Sequence, residues 1–288
     1  TKLGIDREML GSRLPSGLIT AEIERNVRET ASFCPAVRAV RDFSVTRRGR
    51  ACHVEFTAHG ATKTMKFKIL YEDNHLLVVV KPVNMAVQAD DSRDPDLLTL
   101  LKQDLKERYQ KPGNVYLGLV HRLDRPVGGV MVFAKTSKAA SRLSDQIRTC
   151  GLKKIYQAVL CGRPQSASAT LKDWLIKNEK TNTVRTAAPN TPKAKEAILS
   201  YQIQGEKEGL TLAELQLKPG RPHQIRVQFA SRRTPLWGDQ RYNPQARPGQ
   251  QIALWAVSLT LRHPVTQETM TFTCPPPNNV PWSLFFPS

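Results

Sequence analysis

Cysteine is scarce in this chain. Its 288 residues hold five, at Cys34, Cys52, Cys150, Cys161 and Cys274, an odd number with no C-x-x-C pair. That pattern suggests neither a disulfide framework nor a thiolate zinc site, and it fits reduced thiols in an intracellular protein. Long apolar runs are missing as well. The longest, such as "HLLVVV" at 75–80, fall far short of the roughly 20 residues that cross a bilayer, so no membrane partner is expected. No secretory signal pattern occurs. There is no P-loop, no dinucleotide fingerprint and no Ser/His/Asp arrangement, and His121 with His223 offers only two potential metal ligands. The residues leave open a reaction that needs neither metal nor organic cofactor.

Acidic residues are also in short supply. Lys and Arg number 43 against 25 Asp and Glu, a net charge of +18. An excess of this size points to a polyanionic partner, and nucleic acid is the commonest. The chain opens at Thr1 rather than Met. Its first stretch is Arg-rich but also holds Asp6, Glu8, Glu22, Glu24 and Glu29, so it is not itself a clean transit peptide. The expected compartment is the mitochondrial matrix, with a bacterial cytoplasm as the alternative.

Residues 1–68 differ from the rest and read as an N-terminal extension or a small appended domain. A polar helix is expected at 21–31. The runs "ACHVEFTA" (51–58) and "TKTMKFKI" (62–69) read as a hairpin turning at His59-Gly60-Ala61. From 69 to 288 the pattern is a regular mixture of α and β. "HLLVVVKP" is a buried strand stopped by Pro82. "DPDLLTLLKQDLKERYQ" is an amphipathic helix with Leu97, Leu98, Leu101, Leu105 and Tyr109 on one face. "VYLGLV", "GGVMVFAK" and "KKIYQAVLCG" are strands. "TSKAASRLSDQIRT" is a helix capped by Thr136 or Ser137. Residues 178–196 read as a long, exposed, basic excursion. "AILSYQIQ", "LTLAELQL", "HQIRVQFA" and "QIALWAVSLTL" are four further strand-like runs. Many strands and few helices predict an α+β fold around one large sheet.

Three places combine such elements with reactive side chains. In "LVHRLDRPVGGVMVFAK" (119–135), His121, Arg122, Asp124 and Arg125 sit in a turn between two strands. Asp124 is either a turn-forming carboxylate or, held ionised by guanidinium groups, a nucleophile or general base. In "PGRPHQIRVQFA" (219–230), Arg226 falls in mid-strand and needs an anionic partner, for which Asp124 is a candidate. Tyr156 follows Lys153 and Lys154 and shares a strand face with Ala158 and Leu160. It is either a core residue or a surface on which a base stacks.

These stretches, in this order, resemble the RluA-type pseudouridine synthases over about residues 68–276. "ILYEDNHLLVVVKP" resembles that family's opening strand and Lys-Pro, and "HRLDRPVGGVMVFAKT" its H-R-L-D signature. "KKIYQAVLCG", "GRPHQIRVQFA", "PLWGDQRY" and "ALWAVSLTLRHPVT" resemble its later blocks. The resemblance implies a mixed, mostly antiparallel sheet flanked by helices, with a central RNA-binding cleft. It implies a cofactor-free isomerase, expected as a monomer, that converts uridine to pseudouridine in structured RNA. Large-subunit ribosomal RNA or a pre-ribosomal particle is the expected partner. By position, Asp124 is the catalytic carboxylate that attacks sugar or base. Tyr156 stacks on the uracil and shares in proton removal, and Arg226 pairs with Asp124. Arg122, Arg125, Lys153, Lys154, Arg221 and His223 are expected to contact RNA.

The chain departs from the family at Asn84, where glycine is usual, and at "RPVGG", where Ser or Thr then Ser-Gly is usual. It departs again at Gln228 and Trp255, where His is usual. These departures bear on the RNA-facing loop and on substrate preference, and they leave the three catalytic positions in place. Residues 1–68 do not resemble the S4 domain of many relatives. The alternative reading is an RNA-binding assembly factor that keeps the fold as a scaffold.

Overall fold

The computed structural model describes residues 37–48, 51–60, 67–92, 94–218 and 220–286. The chain divides into two compact units, Thr1–Met65 and Lys66–Ser288. In the first, β1 (Val37–Arg48) and β2 (Ala51–Gly60) form an antiparallel hairpin. The strand expected at 51–58 is present, but its partner precedes it rather than follows it. Arginines at 38, 41, 47 and 48 hid the β-forming Val37, Val40, Val45 and Thr46 in the sequence pattern. The helix expected at 21–31, and residues 62–66 of the other expected strand, lie outside the described residues.

The second unit is built on an 11-stranded sheet. In chain order its strands are β3 (Lys68–Glu72), β4 (Leu76–Lys81), β5 (Gly118–Leu119), β6 (Gly128–Ala134) and β7 (Lys153–Cys161). They continue with β8 (Ser168–Asn178), β9 (Thr183–Ala187), β10 (Lys195–Lys207), β11 (Leu210–Lys218), β12 (Leu254–Arg262) and β13 (Thr269–Thr273). Their order across the sheet is β3-β4-β6-β12-β7-β11-β10-β8-β9, with β5 on β6 and β13 on β12. The β6–β12 pairing is parallel and the others are antiparallel. The α+β class and the mixed, mostly antiparallel sheet are as expected.

Two apolar cores cover the two faces of this sheet. Leu77 and Val79 of β4 and Met131 and Phe133 of β6 pack with Leu97, Leu101 and Leu105. Their neighbours Leu76, Val78, Val130 and Val132 pack on the other face with Ala139 and Leu143. Strands buried on both faces need an unbroken apolar sequence, which is what "LLVVV" and "VMVFA" supply. Each fully buried Leu or Val contributes about 1.5–3 kcal/mol.

Helix α1 (Leu97–Arg108) starts where the Asp96 carboxylate accepts from Thr99 N at 3.0 Å. Its buried stripe is Leu97, Leu101 and Leu105. Tyr109, expected on that stripe, is exposed and donates its hydroxyl to Glu72 Oε1 at 2.9 Å. Helix α2 (Ser137–Arg148) is capped by Thr136 Oγ1, which accepts from Ala139 N at 3.1 Å.

One expected strand is overturned. "HQIRVQFA" is not a strand: Gln224–Ala230 forms helix α3, and its residues 224–229 are all buried. A helix buried on every side has no polar face, so its sequence shows no 3.6-residue period and an accidental alternation misleads. Residues 178–196 are mostly exposed, as expected, but they hold a strand that the sequence pattern did not show. β9 turns back on the end of β8, pairing Val184 with Lys177, and the Val184 side chain is buried.

Candidate active site

The turn at 120–127 is held to the middle of the sheet by the start of β6. Here Gly128 and Gly129 pair in parallel with Trp255 and Ala256 of β12. Gly129 has φ +123, and a Cβ on it would lie 2.3 Å from the Ala256 carbonyl oxygen, so only glycine fits. Beneath the turn lies Lys81, fully buried. Its ammonium donates to the carbonyls of Pro82 (2.9 Å), Arg125 (3.0 Å) and Val127 (2.7 Å). Burial pulls its pKa down to about 7, with the Asp124 charge working in the opposite direction.

Asp124 does both things its sequence suggested. Its carbonyl accepts from Val127 N at 3.0 Å and closes the turn. Its carboxylate takes no part in that turn and meets Arg226 Nη1 at 3.2 Å. The guanidinium beside Asp124 is therefore Arg226, not its chain neighbours.

α3 presents Arg226 to two carboxylates. Nε and Nη2 form a fork with Asp239 at 2.8 and 2.7 Å, which leaves Nη1 for Asp124. Burial works against the charge, but Asp239 and then Asp124 outweigh it and raise the Arg226 pKa above its ordinary value. The Tyr242 ring lies 5.1 Å from the guanidinium carbon. Tyr242 Oη accepts from Val184 N at 2.8 Å and hydrogen-bonds His223 Nδ1 at 2.7 Å, which ties β9 to the site. His223 Nε2 stands 3.9 Å from Asp124. Burial lowers the His223 pKa although Asp124 opposes the shift. Asp239, Tyr242 and Lys81 had no role assigned from sequence, although all three lie in the quoted blocks.

Tyr156 is buried on the same strand face as Ala158 and Leu160, as expected. Burial, with the charge of Asp124 second, raises its pKa and keeps the phenol neutral. A neutral phenol stacks and donates; it is a poor proton acceptor, which works against the expected share in proton removal.

A cavity of about 700 Å³ joins these groups. Asp124, Tyr156, Arg226, Arg122, Arg125, Lys154, Arg221 and His223 all line it. Lys153 does not, because the strand alternation turns it to the face opposite Tyr156. Arg122 is exposed and has no partner among the described residues. Arg125 is already engaged, with Asp94 at 2.7 Å and Asp90 at 3.0 Å. Arg221 Nε donates to the Glu196 carbonyl at 2.9 Å.

The residues that depart from the family pattern make packing and hydrogen-bond contacts within the chain. A Cβ on Gly128 would lie 2.2 Å from the Trp255 ring, so glycine for serine and tryptophan for histidine compensate each other. Asn84 has φ 59, a conformation that asparagine tolerates when glycine is absent. Its amide donates to Gln251 Oε1 at 2.8 Å, and Gln251 Nε2 donates to the Pro126 carbonyl at 2.6 Å. Gln228 is buried and donates to Asp173 at 2.6 Å.

Residues 75–231 match a sequence-family model described as RNA pseudouridylate synthase. The uncharacterized RNA pseudouridine synthase YhcT of Bacillus subtilis is 32% identical over 212 residues, 73% of this chain and 68% of that protein. The ribosomal large subunit pseudouridine synthase D of Haemophilus influenzae is 31% identical over 245 residues, 78% of this chain and 72% of that one. Among solved structures, human RNA pseudouridylate synthase domain containing 4 superposes with a TM-score of 0.62 at 22% identity. It covers 73% of this chain and 88% of the human chain, and it shares the fold.

Proposed function

The chain belongs to the RNA pseudouridylate synthase family, isomerases of uridine in RNA, and from that premise we propose that it modifies uridines of large-subunit ribosomal RNA, with Asp124 as the attacking carboxylate. Its relatives include enzymes named for the ribosomal large subunit. The observation that carries the catalytic reading is the Asp124–Arg226 contact of 3.2 Å at the wall of a 700 Å³ cavity. A uridine within a helix cannot reach such a group, so it must first be extruded. In the cavity it stacks on Tyr156, and exposed Arg122 stands ready at the emptied position with a planar cation.

The chemistry balances without a co-substrate. The ionised Asp124 attacks ribose C1′ or uracil C6 and the N1–C1′ bond breaks. The uracil turns, C5 bonds to C1′, the C5 proton leaves and N1 takes one up. The carboxylate is regenerated. Arg226 orients Asp124 throughout, because its fork to Asp239 fixes the guanidinium plane.

Pseudouridine mapping of large-subunit RNA, in cells with and without the protein, tests this reading. Loss of one or a few sites, restored by the wild-type protein and not by Asp124→Asn, is the expected result. An assembly defect with an unchanged map, rescued by Asp124→Asn, would make the protein a scaffold instead.

A further inference from the structure

His223, expected to contact RNA, turns both ring nitrogens toward side chains of its own chain. Nδ1 lies 2.7 Å from Tyr242 Oη. Nε2 stands 3.9 Å from Asp124 Oδ2, the oxygen that Arg226 Nη1 holds at 3.2 Å. Asp124 Oδ1 has no hydrogen bond among the described residues, so it is the oxygen free to attack. His223 itself holds φ 51 at the start of α3, a left-handed conformation that strains a residue with a Cβ. Strain of this kind gathers at functional sites.

The place of the ring's proton follows from its neighbours. Burial lowers the His223 pKa, with Arg226 and Arg241 acting in the same direction and Asp124 and Asp239 against it. At neutral pH the ring is therefore uncharged and carries one proton. Burial raises the Tyr242 pKa, so the hydroxyl keeps its own. Tyr242 Oη already accepts from Val184 N at 2.8 Å. If it accepted from Nδ1 as well, its hydrogen would have no acceptor among the described residues, and the bare lone pair of Nε2 would face the Asp124 carboxylate. With the proton on Nε2 instead, Oη donates to Nδ1 and Nε2–H faces the carboxylate. Only this tautomer uses every group.

We infer that Tyr242 and His223 are positioning residues for Asp124: the Tyr242 hydroxyl keeps the His223 proton on Nε2, and that N–H closes on Oδ2 while Oδ1 forms and breaks its bond to the nucleotide. The inference rests on the proposed function and deepens it. At 3.9 Å the contact is too long for a hydrogen bond, and a movement of about 1 Å makes one. Such contacts are often long in a free enzyme and tighten in the complex. When Oδ1 attacks ribose C1′ or uracil C6 it gives an electron pair to the new bond. When that bond breaks the pair returns, and the charge spreads to Oδ2. Two donors there, Arg226 and His223, stabilise the departing carboxylate. β9 enters the site by the same route, because the Val184 N–H fixes the Tyr242 hydroxyl.

Nitrogen NMR of the full chain with labelled histidine tests the first half. It should show His223 protonated on Nε2 and bare on Nδ1, and a mixture of tautomers in Tyr242→Phe. Single-turnover kinetics on a large-subunit RNA transcript test the second. His223→Ala should slow pseudouridine formation by about 10- to 100-fold, the worth of one hydrogen bond to a charged group. RNA affinity should stay within about threefold of wild type. His223→Gln, whose amide brings an N–H to the Nε2 position, should recover most of the rate.

A proton on Nδ1 in the wild-type chain would overturn the inference, whatever the variants do. A His223→Gln chain no faster than His223→Ala would also overturn it, since only packing would then be at stake. Weaker RNA binding at an unchanged rate would do the same by making His223 an RNA contact. The wild-type activity is read first. No pseudouridine from that chain removes the proposed function, and pseudouridine beside any of these results removes the inference alone.

Discussion

Arg226 gives two of its nitrogens to Asp239 and one to Asp124, so the Asp124 carboxylate is positioned by a guanidinium that Asp239 in turn holds in place. Removing one partner of a buried pair costs about 3–5 kcal/mol, chiefly because the other is left charged and alone. Asp239→Asn should therefore lower activity by on the order of 100-fold, since a shift of about 1 Å at the reacting group has that effect. RNA affinity should change little; a filter-binding assay beside a pseudouridine assay separates the two. Arg226→Lys should fare no better, because lysine keeps the charge but not the fork. Lys81 predicts a pH dependence. Its pKa falls from 10.5 to about 7 on folding, so below about 7 both states hold the proton. Between there and 10.5 the unfolded chain binds a proton the folded chain has released, and stability rises with pH. Urea unfolding at about pH 6 and about pH 9 should show that rise in wild type and a smaller one in Lys81→Met. The difference is at most about 1.4 kcal/mol per pH unit. The Asp124–Arg226 pairing was legible in the sequence because a strongly basic residue in an apolar run demands an anion. Asp239 and Lys81 were not: Asp239 stands in a separate block 13 residues beyond Arg226, and Lys81 is held by backbone carbonyls, which no side-chain pattern reports.

At the level of elements, the sequence was most legible where apolar residues form an unbroken run or a single stripe. β4, β6, β7, α1 and α2 all follow from runs and stripes of that kind. α3 did not, since residues 224–229 are buried all round and carry no face-to-face contrast. β8 and β9 were missed for the opposite reason: their burial is shallow, and polar residues dominate both. The joint between β6 and β12 makes a further prediction. Gly128→Ser alone should destabilise by about 1–3 kcal/mol through overpacking against Trp255. In a Trp255→His background the same change should cost at least about 1 kcal/mol less, a coupling expected of residues in contact. Additive effects in denaturant unfolding would show that the two departures from the family pattern are independent.

The whole molecule carries a net charge of +18 and a cleft into which Arg122, Lys154 and Arg221 face. If three or more phosphates are neutralised there, log K for RNA falls against log salt with a slope of about −2 or steeper, and a titration across salt concentrations checks it. Charge of this kind was readable from composition alone and gives affinity. What composition could not give is the point in the cleft where affinity becomes chemistry. The proposed point is where the turn before β6 and helix α3 bring residues 102 positions apart, Asp124 and Arg226, to 3.2 Å. The most direct test compares wild type and Asp124→Asn on one large-subunit RNA transcript, with affinity and pseudouridine measured on the same samples. The prediction is affinity within about threefold, a difference under about 1 kcal/mol, and no pseudouridine from the variant. Pseudouridine formed by Asp124→Asn at the wild-type rate would contradict the account.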